Sequence, residues 1–199
     1  FGIEYGRGAT ANVVLGGPAL APAAVKKMFP EYDCTTVVPD AYDAELWARD
    51  RFGENFLVQK KIYATTPRTP HVLIGGDHSV NFGHFAALAD RIPDQDLCLV
   101  YIDAHLDIHT PESSRAQASG APHGTNVRAL VGQGDERWLG LQERMPALKP
   151  ENIFYLGSRS YEPAEIEFVR ANNIFMRTPD DLNSPDRLDA VIGEIFRQI

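Results

Sequence analysis

The sequence predicts an α/β fold with a mainly parallel sheet, and two observations carry that prediction. Short apolar, β-rich runs recur along the chain with helix-patterned stretches between them, which is the βαβ signature. Two of those runs end in clusters of ionisable residues, and a parallel sheet gathers its ligands beyond the carboxyl ends of its strands.

Taken in order, the first strand candidate is the weakest, "CTTVV" from Cys34. "HVLIG" (71–75), "LCLVYI" (97–102) and "NIFYLG" (152–157) are clear. Between the first two of these, "SVNFGHFAALADRI" reads as a helix opened by Ser79, with Val80, His84, Leu88 and Ile92 on one stripe. Near the end, "SPDRLDAVIGEIFRQI" has a Ser184 cap, Pro185 at the first helical position, and Leu188, Val191, Ile192, Ile195, Phe196 and Ile199 at amphipathic spacing. Residues 108–128 are rich in Ser, Ala, Pro and Gly, lack an apolar period, and read as a long loop of the kind that carries function. No repeat or linker divides residues 1–199, so one domain is expected.

Composition narrows the function. A chain of 199 residues, 44% hydrophobic and 23% charged, is long enough for one substantial α/β core. A net charge of −8 and the lack of any basic run exclude nucleic acid and anionic membranes as natural partners, while a cationic substrate is compatible. Cys34 and Cys98 lie far apart without C-x-x-C spacing, which reads as two core thiols in a reducing, cytoplasmic compartment. The longest apolar run is too short to span a bilayer. The opening "FGIEYG", without Met, reads as a trimmed start.

The chemistry concentrates in "GGDHS" (75–79) and "DAHLD" (103–107), which follow two strand candidates and so fall on one rim. Burying a carboxylate is costly unless it is paired or bound to a cation. If residues 103–107 continue the strand, Asp103, His105 and Asp107 point one way and Ala104 and Leu106 the other. Gly75 and Gly76 let a neighbouring backbone approach closely and turn sharply, presenting His78 beside them. Mixed imidazole and carboxylate donors suit Mn, Fe, Co, Ni or Zn better than Ca or Mg, and no thiolate argues for structural zinc. Asp77 reads as a turn or capping residue behind the ligands, and His84 as a hydrogen-bonded histidine near the helix start.

"GGDHS" and "DAHLD" resemble two signature motifs of the ureohydrolases, the manganese enzymes that include arginase, agmatinase and formimidoylglutamase. "GATANVVLGGPALAP" upstream is similar to the family's early Gly-rich stretch, and "DIHTPESS", "SGAPHG" and "GSRSYEPAE" resemble arginase loops in order and spacing. The resemblance implies a three-layer αβα domain with a mainly parallel sheet. It also implies two manganese ions per subunit, with His78 on one, His105 on the second, Asp103 bridging both and Asp107 completing the first. His123 in "PHG" matches the family's proton-shuttling histidine, and an imidazole suits that task near neutral pH. The implied substrate is a small guanidino compound, with L-arginine first, and a homo-oligomer is expected of the full-length form.

The chain departs from the arginase pattern where the substrate's amino-acid end would lie. His109 and Ala121 stand where arginases have Asn, while Ser119 matches, at positions that hold the substrate carboxylate. Ser160 and Glu162 stand at two Asp positions and Glu165 matches a Glu, at positions that face the α-amino group. As helix N-terminal acids, Glu162 and Glu165 also have an ordinary structural explanation. The resembled family's third motif, a strand carrying D-x-D, is absent up to Ile199, so the chain corresponds to the N-terminal two-thirds of such an enzyme. The expectation is that this polypeptide alone binds manganese weakly, is inactive and tends to aggregate. The alternative readings are agmatinase or another guanidino or formimino hydrolase, and an inactive metal-binding fragment or assembly module.

Overall fold

The structure, a computed structural model, describes residues 1–7, 17–32, 35–38, 44–92 and 96–199. Its strands and helices run β1 (Gly2–Ile3), α1 (Ala21–Met28), β2 (Thr36–Val37), α2 (Ala44–Arg49), α3 (Arg51–Thr65), α4 (Asn81–Arg91), β3 (Leu99–Ile102), α5 (Pro111–Gln117), α6 (Asn126–Leu130), α7 (Glu136–Leu139), β4 (Ile153–Leu156), α8 (Pro163–Ala171), β5 (Phe175–Arg177) and α9 (Pro185–Phe196). All strand pairing is parallel, as expected, but among the described residues it falls into two sheets, β1–β2 and β3–β4–β5. "HVLIG" is not a full strand. Only Ile74 bridges to β1, accepting from Ile3 N–H at 2.8 Å and donating to the Phe1 carbonyl at 2.9 Å, because β1 is too short to offer a longer ladder. The strand read from Cys34 reduces to Thr36–Val37, and Cys34 lies outside the described residues.

Strand parity sets the layers. Leu99 and Tyr101 of β3 and Ile153 and Tyr155 of β4 face one way, into a core with Phe82 of α4, Leu130 of α6, Trp138 of α7 and Val169 of α8. Phe154 and Leu156 face the other way, against Val191 and Ile195 of α9. With helices on both sides, the sheet is the middle of three layers, and every residue of β4 is buried, which is why "IFYL" is apolar without alternation. Edge strand β3 differs: Val100 is 44% exposed and Ile102 79%, so the apolar run "LCLVYI" is buried on one face only. On α9, whose Ser184 cap and Pro185 start are as read, the apolar stripe is only partly used, and Phe196 remains 75% exposed. Cys98 is half-buried beside that cluster.

Two local readings change. Helix α4 is preceded by a 3-10 turn over His78–Val80 whose cap is Asp77, and Ser79 is instead buried inside a side-chain network. Residues 108–128 are not one loop: they hold α5 and the start of α6. The sequence signal for α5 is capping rather than apolar period, with Thr110 accepting from Ser113 N–H at 3.1 Å and Pro111 opening the helix. No helix among the described residues is long and apolar enough to cross a membrane.

The turn that presents His78 is clamped from two sides. A Cβ at Gly76 would lie 1.3 Å from the Tyr5 carbonyl oxygen, so only glycine admits this contact with the segment that follows β1. On the other side, Asn55 donates to Ser79 Oγ (2.9 Å), while Gln59 donates to Asn55 Oδ1 (2.7 Å) and the Ser79 carbonyl (2.8 Å) and accepts from Gly83 N–H (2.8 Å). All three side chains are fully buried, and the closed network ties α3 to the start of α4.

His84 is not the hydrogen-bonded histidine expected. It is buried on α4 against the His71 and Phe85 rings, its Nδ1 has no hydrogen-bond partner among the described residues, and burial lowers its pKa from 6.5 to about 4. With the folded value below the unfolded one, the unfolded chain takes up the proton first. Stability is therefore complete above pH 6.5 and declines as pH falls toward about 4. Replacing His84 with Phe should abolish up to about 3 kcal/mol of that acid loss, read from urea unfolding between pH 7 and pH 4. An unchanged slope would contradict it.

Candidate active site

The two sequence clusters meet, but not by a continued strand. Beyond Ile102 the chain bends at Asp103, whose Oδ1 accepts the His105 N–H at 2.8 Å, a local turn typical of Asp. Asp107 then adopts φ +49°, in the left-handed region. The strict alternation read from D-x-H-x-D is therefore replaced by a reversal: Leu106 and Asp107 are buried while His105 is exposed. The Ala104 carbonyl accepts the N–H groups of Arg159 and Ser160, both at 2.9 Å, which anchors the bend to the segment after β4.

His78 Nδ1 lies 2.9 Å from Asp107 Oδ2 and 3.5 Å from Asp103 Oδ2, and His105 Nδ1 lies 3.3 Å from Asp103 Oδ1. The two oxygens of Asp103 thus face different histidines, an arrangement that fits a carboxylate shared between two cations, and the N/O donor set suits first-row divalent metals. The Tyr101 hydroxyl, which motif reading passed over, is 2.7 Å from both Asp107 Oδ2 and His78 Nδ1. Its signal was parity: it stands two residues before Asp103 on the core side of β3. Burial alone would raise the Asp107 pKa, but hydrogen bonds from His78 and Tyr101 outweigh it and hold the carboxyl below its usual range. The same contact with Asp107 raises His78, against the opposing effect of burial.

Beside this cluster lies a cavity of about 240 Å³ whose lining includes His105, Asp107, His109, Ser119, His123, Glu162 and Glu165. The expected catalytic and substrate-facing residues therefore share one space with two of the four expected metal ligands, while His78 and Asp103 stand behind Asp107 and His105. Of the positions that depart from the arginase pattern, Ala121 is buried and Ser160 is exposed, and neither lines the cavity. Ser114, buried on α5, lines it and was not foreseen.

At the far wall, His109 Nε2 lies 3.1 Å from Glu162 Oε2 and 3.6 Å from Glu165 Oε2. Glu165 Oε1 accepts from Ile108 N–H at 3.0 Å and its Oε2 from Glu162 N–H at 3.1 Å, so this residue pins the Asp107 loop to the start of α8 as well as facing the cavity. Burial pushes Glu165 up to about 8, with the neighbouring Glu162 adding to the rise, whereas hydrogen bonds to Glu165 and His109 lower Glu162 despite its partial burial. Among the described residues, His109, Glu162 and Glu165 are the group whose ligand atoms all fall within 4.8 Å of one another, and the set around Asp103 is joined pairwise.

A family model described as the Arginase family matches residues 17–199. The chain is similar to arginase of Staphylococcus aureus strain MRSA252, 34% identical over 112 residues, which are 56% of this chain and 35% of that one. It is also similar to arginase of Bacillus subtilis strain 168, 29% identical over 131 residues, or 66% of this chain and 43% of that one. The matched segments thus span less than half the length of these relatives. Among solved structures, Entamoeba histolytica arginase in complex with L-ornithine superposes with a TM-score of 0.78 at 22% identity, over 99% of this chain and 69% of that one. Bacillus cereus arginase gives 0.76 at 22% identity, over 99% and 68%. The fold is the arginase-like α/β fold.

Tyr101→Phe removes one donor from the buried Asp107 carboxylate while keeping the ring in the core. It should cost about 1–2 kcal/mol in urea unfolding at neutral pH, and an unaltered midpoint would show that the hydroxyl is not holding Asp107.

Proposed function

We propose that this chain, which belongs to the arginase family, serves a manganese-dependent amidinohydrolase that cleaves the guanidinium group of L-arginine to urea and ornithine. The observation that carries the reading is Asp103, with its two oxygens directed at His78 and His105 beside a polar cavity. His78 and Asp107 would hold one manganese, His105 the other, and Asp103 would be shared. Bound manganese supplies Lewis acidity and makes water acidic enough to serve as a nucleophile at neutral pH.

The chain's own residues supply the remaining functions. His123 stands on the cavity wall without being one of the four ligands, where an imidazole can carry a proton to the departing amine. Ser119 and His109 would meet the substrate carboxylate, and Glu162 and Glu165 its α-amino group. The Entamoeba relative holds L-ornithine, the amino-acid product of this reaction. One observation favours a second reading, agmatinase or another guanidino or formimino hydrolase: His109 already engages Glu162, which leaves less free negative charge for an α-ammonium group. Urea release from the manganese-loaded full-length form offered L-arginine, agmatine and other guanidino compounds separates the two, and release from none of them would favour an inactive metal-binding module over both.

Asp103→Asn should reduce manganese loading at this cluster below two ions per chain, because a neutral amide cannot serve two cations; elemental analysis showing an unchanged metal content would sink the bridging role. In the full-length form, His123→Asn should lower urea turnover by roughly 10²-fold or more with metal content intact. A parallel loss of metal would place His123 among the ligands instead.

A further inference from the structure

A second cavity, of about 330 Å³, shares the Ser119 strap with the first: Ala118 and Ser119 line one, Ser119 and Gly120 the other. The second is otherwise built on the junction of α2 and α3, and three guanidinium groups, those of Arg49, Arg51 and Arg115, line it together with the acid Asp50. That acid is already committed. Asp50 accepts from Gly53 N–H at 2.9 Å as the cap of α3 and from two nitrogens of Arg137, which hold its carboxyl below the usual range. Arg115 pairs with Glu112 at 3.2 Å, but these side chains are 58% and 76% exposed, where an ion pair contributes little. Arg51 is oriented rather than neutralised: Nη1 donates to the Ser119 carbonyl at 3.3 Å, and the guanidinium lies 4.8 Å from the centre of the Trp47 ring. The Arg49 guanidinium has no hydrogen bond or ion pair among the described residues.

We propose that Arg49, Arg51 and Arg115 form a binding site for a small oxyanion, the phosphate or carboxylate group of a metabolite, separate from the substrate-facing cavity. Like charges around one hollow repel each other unless an anion lies among them, and a chain of net charge −8 does not gather three of them as part of a generally basic surface. The planar fork of a guanidinium matches two oxygens of a carboxylate or phosphate. Helix α3 spans 15 residues, and its first two, Arg51 and Phe52, line the hollow, so its N-terminus adds partial positive charge there. Arg51 links the two cavities. An anion that draws its guanidinium alters the contact on the Ser119 carbonyl, while the N–H groups of Ala118 and Gly120 keep the strap on the Ser114 carbonyl at 2.9 and 3.1 Å. The consequence of that link for substrate affinity rests on the arginine reading, and the existence of the site does not.

Calorimetric titration of the manganese-loaded full-length form with sulfate, a tetrahedral dianion that stands in for phosphate, tests the site. The expected result is one equivalent bound, with an affinity that falls as sodium chloride is raised. Arg49→Gln combined with Arg115→Gln, both at exposed positions outside the proposed catalytic machinery, should weaken that binding by roughly tenfold or more. Each substitution alone should weaken it in the same direction, which decides the matter if the double variant misfolds. Succinate in place of sulfate separates the two ligand classes: tighter binding of succinate assigns the site to a carboxylate, and tighter binding of sulfate to a phosphate. No binding of either ion, or binding unmoved by the two substitutions, overturns the proposal. A KM for L-arginine unchanged at saturating sulfate would overturn the link through Arg51, whereas absence of urea release would bear only on the hydrolase reading.

Discussion

The buried carboxylate of Asp107 is the constraint around which this structure is arranged. Its desolvation is unfavourable, and the opposing contacts come from two parts of the chain at once: His78, from the turn before α4, and Tyr101, from β3. One group therefore joins the two ionisable clusters. Its left-handed backbone reverses the chain, and that reversal sends Leu106 and Ile108 into the core on either side. The site and the hydrophobic core are consequently set by the same few residues.

The second anchor is Glu165. Its carboxyl accepts backbone donors from Ile108 and Glu162, so the loop that leaves Asp107 is held against the start of α8. Between these two anchors His109 has little freedom: its backbone N–H donates to the Gly124 carbonyl at 3.0 Å, and Ser113 Oγ lies 2.9 Å from its ring Nδ1. The cavity is thus polar because its walls are the ends of helices and strands, each with backbone groups to satisfy, and the acidic side chains there have both a structural and a site-facing role.

Around the site, burial is uneven. One face of β3–β4–β5 is sealed by a large cluster that includes Phe82, Trp138 and Leu148, while on the other face α9 covers β4 and leaves Val100 and Ile102 of β3 in contact with solvent. The same sequence run therefore has a dry side and a wet side, although both read as apolar.

By itself the sequence determined the parallel α/β class, the position of β3, β4 and α9, the meeting of "GGDHS" with "DAHLD", and the need for glycine at Gly76, because apolar period, capping residues and turn residues are local signals. It did not determine the alternation of residues 103–107, since whether a strand continues past Ile102 depends on the Asp103 side chain capturing the His105 N–H and on Ala104 bonding to a segment more than fifty residues away. Nor could it show that Tyr101 completes the Asp107 environment, or that His109 faces Glu162 and Glu165. Those contacts join residues distant in the chain, and only the packing of β3 beside β4, and of α5 against α8, brings them within hydrogen-bonding range.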